Sequence, residues 1–168
     1  MSRVARYHAD RTNQKLYFAR LSCVQAESLC DNVQQSQACK ESVVFHLQGA
    51  VLAFLQELVR YYRLHDIQPT LQSIEQKMAE KGQVSPEISV LKTLARDGFL
   101  AELNHAYRMC QYSPEPTPPQ AEQDTSSHLI IKVTQGPQSW LPDTTILRDW
   151  YQQLMQLING FRDEMVEF

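Results

Sequence analysis

The sequence predicts an all-α fold: a helical bundle of about five to six helices, with a proline-rich loop and one short extended segment before the C-terminal helix. Three observations support this prediction. The 168 residues include only five glycines. Of the eight prolines, four are concentrated between Pro114 and Pro119, so long stretches are free of the residues that break helices. Elsewhere, apolar residues recur at every third or fourth position. We therefore expect a single helical domain over residues 1–168.

The first predicted helix runs from about Asp10 to Asn32. Its apolar side chains follow three- and four-residue steps and define one face of a helix. They are Leu16, Ala19, Cys23, Ala26 and Cys30. This face is expected to pack against the rest of the bundle.

The second predicted helix, from about Ser36 to His65, carries two apolar stripes. The main stripe comprises Val43, Val44, Leu47, Ala50, Val51, Phe54, Leu55, Leu58 and Tyr62. The other stripe comprises Phe45, Leu52 and Val59, which are seven residues apart. A helix that is apolar on most of its circumference lies at the centre of a bundle, or between a bundle and a partner.

Two shorter helices are predicted next. The first carries Leu71, Ile74 and Met78 and ends near Gly82, a residue type common at helix C-termini. Ser85, Pro86 and Glu87 then have the order of an N-cap, a first helical residue and a first-turn acid. Apolar periodicity continues to Cys110, and the dipeptide at 97–98 either breaks or kinks this helix.

The C-terminal third of the chain begins with a polar, proline-rich segment. Residues 113–127 contain too few apolar groups to be ordered by burial, so they are predicted to form a flexible surface loop. Residues 128–133, HLIIKV, are β-branched and short and are predicted to be extended. The closing helix carries Ile146, Leu147, Trp150, Tyr151, Leu154, Leu157, Ile158, Phe161 and Met165.

Composition argues against several classes of function. The formal net charge is −3, which provides no general attraction to nucleic acid. The four cysteines form no C-x-x-C pair and have no histidine at ligand spacing, so we expect no metal site and no cofactor. Reduced thiols favour a cytoplasmic location. No apolar run of membrane-spanning length and no secretion signal is expected.

Three segments of the chain resemble a family of small bacterial proteins classified as a domain of unknown function. They are RTNQKLYFA at residues 11–19, FHLQGAVLAFLQELVRYYRL at residues 45–64, and the closing helix. The resemblance implies a helical architecture and a bacterial cytoplasmic protein. It implies no activity, substrate or catalytic residue.

A weaker, partial resemblance is to the HEPN ribonucleases, helical bundles with an R-x4-H signature. The chain has two such pairs, Arg60 with His65 and Arg3 with His8. The resemblance implies that the histidine acts as general acid or base while the arginine stabilises a charged transition state. The match departs from the family pattern, which favours a polar residue after the arginine, because Tyr61 and Val4 stand there. The alternative is that His65 ends the second helix, where exposed carbonyls favour a cation.

Two further sites each have two interpretations. The first consists of the polar residues Arg11, Asn13 and Lys15, followed by the aromatic residues Tyr17 and Phe18. It is either a surface that grips an acidic partner, or the solvated start of a helix capped by Asp10 or Thr12. The second is His46, which shares a helical arc with Glu57 and Gly49. It is either a polar site facing a partner or a ligand, or an ordinary, partly exposed histidine.

The leading hypothesis is a non-enzymatic helical adaptor or regulator that binds another protein, or a second copy of itself. Its predicted contact residues are Arg11, Asn13, Lys15, Phe45, Leu52 and Val59. The second hypothesis is a HEPN-like ribonuclease, or an inactive remnant of one, with Arg60 and His65 as the active pair. The third is a small-ligand pocket between helices, lined by Tyr61, Tyr62, Tyr107 and Trp150.

Overall fold

The computed structural model describes residues 3–111 and 141–166, with side chains for residues 10–111 and 141–165. These parts contain six helices and confirm the all-α bundle. The helices are α1 (Arg3–Ser28), α2 (Val33–Tyr61), α3 (Leu71–Glu80), α4 (Pro86–Asp97), α5 (Phe99–Gln111) and α6 (Thr144–Val166). The predicted loop at 113–127 and the predicted extended segment at 128–133 lie outside the described residues.

The core is built around α2. Its side chains Leu47, Phe54 and Leu58 are at most 1% exposed. Helix α1 packs along α2 over most of its length, while α5 and α6 pack against other sides of it. The ring of Phe54 stacks on Phe161 of α6 with centroids 5.8 Å apart. The predicted central position of the second helix is therefore confirmed within the described residues.

The predicted boundaries of α1 need correction. The helix begins at Arg3, not at Asp10, and ends at Ser28. Residues 3–9 contain no glycine or proline to delay the start of the helix. Asn32 belongs to the next helix as its N-cap, since its side chain accepts a hydrogen bond from the Gln35 backbone N–H at 3.1 Å.

The predicted end of the second helix was also wrong. Helix α2 ends at Tyr61, four residues before His65. Arg63 adopts the left-handed conformation with φ 51°. The backbone N–H of Leu64 donates to the Val59 carbonyl at 2.8 Å, and that of Arg63 donates to the Arg60 carbonyl at 3.1 Å. This is a Schellman motif, with a non-glycine residue at the position where glycine is usual.

The remaining boundaries agree with the sequence predictions. Gly82 follows α3 with φ +66°. Ser85 caps α4 by accepting from the Ile88 backbone N–H at 3.2 Å, and Pro86 is the first helical residue. The chain breaks at Gly98, so α4 and α5 are two helices. A Cβ atom at Gly98 would lie 2.8 Å from Leu94 Cδ2 and 3.0 Å from Leu94 Cα, so this close approach requires glycine.

A buried polar cluster joins the end of α2 to the start of α4. The Tyr62 hydroxyl and the Ser85 hydroxyl both donate to Oε2 of Glu87, each at 2.6 Å. Glu87 is only 5% exposed. Burial and the hydrogen bond to this carboxylate raise the pKa of Tyr62 to about 12. The cluster therefore favours a protonated Tyr62 in the folded state.

This raised pKa predicts a specific alkaline effect. The stabilisation linked to Tyr62 is complete below its unfolded pKa of about 10. It is lost as the pH rises towards the folded pKa of about 12. The difference in unfolding free energy between the wild type and Tyr62→Phe should therefore shrink between about pH 10 and about pH 12. Urea titrations followed by circular dichroism measure it, with Tyr61→Phe as the control, and a constant difference would contradict the linkage.

Candidate functional site

Several aromatic and leucine side chains remain exposed on the outer surface of α1, α2 and α5. On α1, Tyr17, Leu21 and Val24 lie at helical spacing and are 49%, 45% and 55% exposed. On α2, Phe45 and Leu52 are two turns apart and are 41% and 46% exposed. Since cores usually bury such side chains, a group of them at the surface is a candidate interaction site.

Two sets of ring contacts lie beside these residues, one between α1 and α2 and one between α2 and α5. The ring of Phe18 meets His46 edge-on at 5.3 Å, and Tyr17 lies 6.4 Å from Phe18. The ring of Phe45 meets Tyr107 of α5 edge-on at 5.4 Å. We refer to Tyr17, Phe18, Leu21, Phe45, His46, Leu52 and Tyr107 together as the aromatic face.

The predicted contact stripe of α2, which comprises Phe45, Leu52 and Val59, lies only partly at the surface. Phe45 and Leu52 reach the surface as expected. Val59, however, is only 6% exposed and belongs to the core, as does Leu64 at 4%. The Schellman motif folds Leu64 back towards Val59, and a hydrophobic contact between these two positions commonly accompanies that motif. Val59 is therefore a core residue and not a contact residue.

The predicted polar cluster of α1 is divided between two sides of the helix. Arg11 donates to the Gln14 side chain, and Arg11 and Lys15 both act electrostatically on His46 of α2. Asn13 instead accepts a hydrogen bond from Arg162 Nη1 of α6 at 2.8 Å. The interpretation of this region as a capped helix start is wrong because residues 10–15 lie inside α1.

The side chain of Lys15 lies across α2 at Gly49. A Cβ atom at Gly49 would be 3.2 Å from Lys15 Cδ and 3.3 Å from Lys15 Cε. The aliphatic stem of the lysine thus occupies the space that a larger residue at position 49 would take. This arrangement keeps the ammonium group of Lys15 on the α2 side of α1, near His46.

His46 lies in a positively charged and partly buried environment. Burial lowers the pKa of His46, and the positive charges of Lys15 and Arg11 lower it further. Its Nδ1 atom is buried and has no hydrogen-bond partner among the described residues. The neutral imidazole therefore acts here as an aromatic surface against Phe18.

A polar network that sequence reasoning missed connects α1, α2 and α6. Glu57 accepts from Nη2 of Arg162 at 2.8 Å and from Nε at 3.2 Å. The buried hydroxyl of Thr12 also donates to Glu57, and Asn13 accepts from the same arginine. The sequence signal was the position of Thr12, which lies on the apolar face of α1. Its partners, however, are distant in the chain. The network holds α1, α2 and α6 together, and both carboxylate oxygens of Glu57 accept hydrogen bonds within it.

The predicted ribonuclease pair does not share a helix. Arg60 lies in the last turn of α2, whereas His65 lies beyond the helix end and is exposed. The left-handed backbone at Arg63 separates them. The alternative interpretation, in which His65 ends the second helix, is therefore also wrong, because His65 lies beyond the last turn of α2. The second pair is Arg3 and His8, whose side chains are not among those that the structure describes.

Of the four aromatic residues of the predicted ligand pocket, only Tyr61 and Tyr62 have a ring contact with each other among the described residues, edge-on with centroids 5.0 Å apart. Tyr62 bonds to Glu87, Tyr107 contacts Phe45, and Trp150 Nε1 donates to Glu102 Oε2 at 3.2 Å. Tyr107 also lines an open groove of about 490 Å³ between α4 and α5. The other lining residues of this groove are Ala95, Arg96, Ala101, Asn104 and Arg108.

Metal and thiol chemistry find little support in the described parts of the chain. Residues 10–111 and 141–165 contain no group of three or more metal-ligating side chains. All four cysteines are free thiols. Burial raises the pKa of Cys23, and burial raises that of Cys110 to about 11. Both thiols are therefore protonated at neutral pH and are weak nucleophiles.

Helix α2 is long and apolar enough to cross a membrane when judged by length and composition alone. The expectation that no segment would reach this threshold was wrong. Of the most apolar 18-residue window, 44% is buried inside the molecule. The core helix of a soluble protein passes the same test, and α2 forms the centre of the core.

The Glu57 network predicts a strong effect of removing its charge. Glu57→Gln removes the carboxylate to which Arg162 Nη2 and Nε donate, in a pair whose side chains are 20% and 10% exposed. We expect a loss of about 2 kcal/mol of unfolding free energy, since hydrogen bonds between charged groups contribute about 1.5–3 kcal/mol. Glu75→Gln is the control, because the Glu75–Lys92 pair is about half exposed and should contribute less than about 0.5 kcal/mol. Equal losses measured by urea unfolding would contradict this assignment.

The contact between Lys15 and Gly49 predicts different outcomes for two glycine replacements. Gly160 in α6 has open space around it, so Gly160→Ala should stabilise the protein by about 0.5–1 kcal/mol through helix propensity. Gly49→Ala offers the same propensity gain but displaces the Lys15 stem, so its stabilisation should be smaller. Thermal unfolding of both variants tests this difference, and a larger gain at Gly49 would disprove the contact.

Comparison with known proteins places the chain in a family. The searches of curated proteins and of solved structures found no match to the chain. A family model matches residues 7–168 and is described as a family of unknown function (DUF6586). The match spans nearly the whole chain, including α2 to α6 and all but the first four residues of α1, and agrees with the resemblance seen in the sequence. The chain therefore belongs to the family of unknown function DUF6586.

Proposed function

We propose that this chain is a non-enzymatic interaction protein that binds another protein through the aromatic face. The observation that carries the proposal is the set of exposed side chains on α1 and α2, namely Tyr17, Leu21, Phe45 and Leu52, beside the ring contacts Phe18–His46 and Phe45–Tyr107. No helix among the described parts covers them. Aromatic side chains concentrate at protein interfaces because they bury a large area with few rotatable bonds.

The interior acidic residues also support a binding role. Glu57 is engaged by Arg162 and Thr12, and Glu87 by Tyr62 and Ser85. Each of these carboxylates connects different helices of the bundle. A general acid or base needs a carboxylate accessible to substrate, whereas these groups serve to position the helices that present the aromatic face.

The proposed setting is the bacterial cytoplasm, without membrane insertion. The burial of α2 in the core supports this setting, because a membrane-spanning helix would have to leave the contacts that enclose it. The free cysteines are compatible with a reducing compartment. The partner is proposed to be a protein other than a second copy, and self-association is an outcome of the test below.

The central test replaces one leucine of the face by a charge. Leu52→Asp should weaken capture of partner proteins by about tenfold or more, because burying an unpaired carboxylate opposes docking. Val90→Asp is the matched control, since Val90 on α4 is 40% exposed and Leu52 is 46% exposed. The measurement is affinity capture from the native cell followed by quantitative mass spectrometry, with helical content checked by circular dichroism.

Two results would change the proposal. If Leu52→Asp and Val90→Asp retain the same partners in the same amounts, the aromatic face is not the binding surface. Light scattering distinguishes the remaining case. A wild-type dimer that Leu52→Asp alone converts to a monomer would identify the occupant of the face as a second copy.

A further inference from the structure

Positive charges border the aromatic face. Between Arg11 and Ala26 of α1, the charged residues are Arg11, Lys15 and Arg20, all cationic. Between Ser42 and Gln56, α2 carries no acidic residue at all. The nearest carboxylates along these two helices are Asp10, Glu27, Glu41 and Glu57, of which Glu57 bonds to Arg162 and Glu27 to Arg148.

These three cations contact neutral groups, unlike several others in the molecule. Arg11 donates to the Gln14 amide, the Arg20 guanidinium lies 5.4 Å from the ring centroid of Tyr17, and the Lys15 stem lies on Gly49. No carboxylate among the described side chains forms an ion pair with any of them. By contrast, the cations of the other pairs have an acidic partner. They are Lys40, Lys77, Lys92, Arg96, Arg148 and Arg162.

The spacing of the apolar residues fits a helix. Phe45 and Leu52 are seven residues apart on α2, which is about 10 Å along the helix axis. Lys15 follows Arg11 by one turn, about 6 Å further along α1. A partner helix lying along this surface can place apolar side chains two turns apart against α2 and carboxylates one turn apart against α1.

An extended peptide is a poorer fit. The backbone N–H and C=O groups of α1 and α2 are already bonded within their helices beneath the face. A strand needs unpaired backbone groups at a sheet edge to dock. The aromatic face provides side chains alone, which is the surface that a helix recognises.

We infer that the partner segment is an amphipathic helix with an acidic edge, whose apolar side chains meet Phe45 and Leu52 and whose carboxylates meet Arg11 and Lys15. This inference rests on the proposed function and specifies its partner. The complementary charge supplies the acidic groups that the three cations lack among the described residues. It also orients the helix, since the three cations lie on α1 whereas Phe45 and Leu52 lie on α2.

The test uses the full chain and two synthetic helical peptides of about 18 residues, which span about 27 Å. Both carry leucines at three- and four-residue spacing; one has glutamates along one edge, and the other has lysines there. Fluorescence anisotropy should show the glutamate peptide binding at least about tenfold tighter than the lysine peptide. This preference should weaken as salt is raised from about 50 to about 200 mM.

Variants separate the charge of Lys15 from its packing. Lys15→Met keeps an aliphatic stem over Gly49 and removes the charge, and it should weaken binding of the glutamate peptide about threefold to tenfold. Lys81→Met, at an exposed lysine after α3, is the matched control and should leave binding unchanged. Leu52→Asp should weaken binding of either peptide.

Each contrary result overturns the inference in a distinguishable way. Equal binding of the two peptides, or equal effects of Lys15→Met and Lys81→Met, removes the acidic specificity. If Leu52→Asp still abolishes partner capture in that case, the proposed function stands and only the chemistry of the partner is wrong. Failure of both peptides to bind, together with tight binding of a single-stranded RNA oligonucleotide, would replace a protein partner by nucleic acid.

Discussion

The structure depends on the need to enclose α2. This helix is apolar on most sides, and water must be excluded from Leu47, Phe54 and Leu58 at once. Helix α1 covers one side, while α5 and α6 cover others. Because helices are roughly cylindrical, their packing on α2 leaves a strip of its surface uncovered. Phe45 and Leu52 lie on that strip. The same apolar pattern that builds the core thus also produces the exposed surface.

Polar groups inside the bundle determine how the helices are placed. Glu57 connects α2 to α1 and α6, and Glu87 connects the start of α4 to the end of α2. Hydrophobic burial is nondirectional, so it would tolerate small rotations of one helix on another. A buried carboxylate tolerates them poorly, because losing a partner leaves a desolvated charge. The Glu57 cluster therefore fixes the rotation of α1 on α2, which decides which side chains of both helices face outward.

Local sequence patterns were sufficient for most of the fold. Periodicity predicted the helices, and Ser85 and Gly82 predicted a start and an end, because these signals act within one turn. The end of α2 was missed because Arg63 takes a left-handed conformation in which glycine would be expected. Val59 was then assigned to the surface by its seven-residue spacing, although Leu64 folds back towards it. The Glu57–Arg162 pair joins residues 105 positions apart, and no local pattern encodes such a partner.

The candidate site was foreseen in its residue types more than in its geometry. Arg11, Lys15, Phe45 and Leu52 were singled out from sequence, but their arrangement depends on Gly49. Because this glycine has no side chain, the Lys15 stem can cross the backbone of α2 and hold its charge beside His46. Helices α1 and α2 also pack on each other over most of their length. Apolar and cationic groups are thus held on a rigid pair of helices, which lowers the entropy lost when a partner binds.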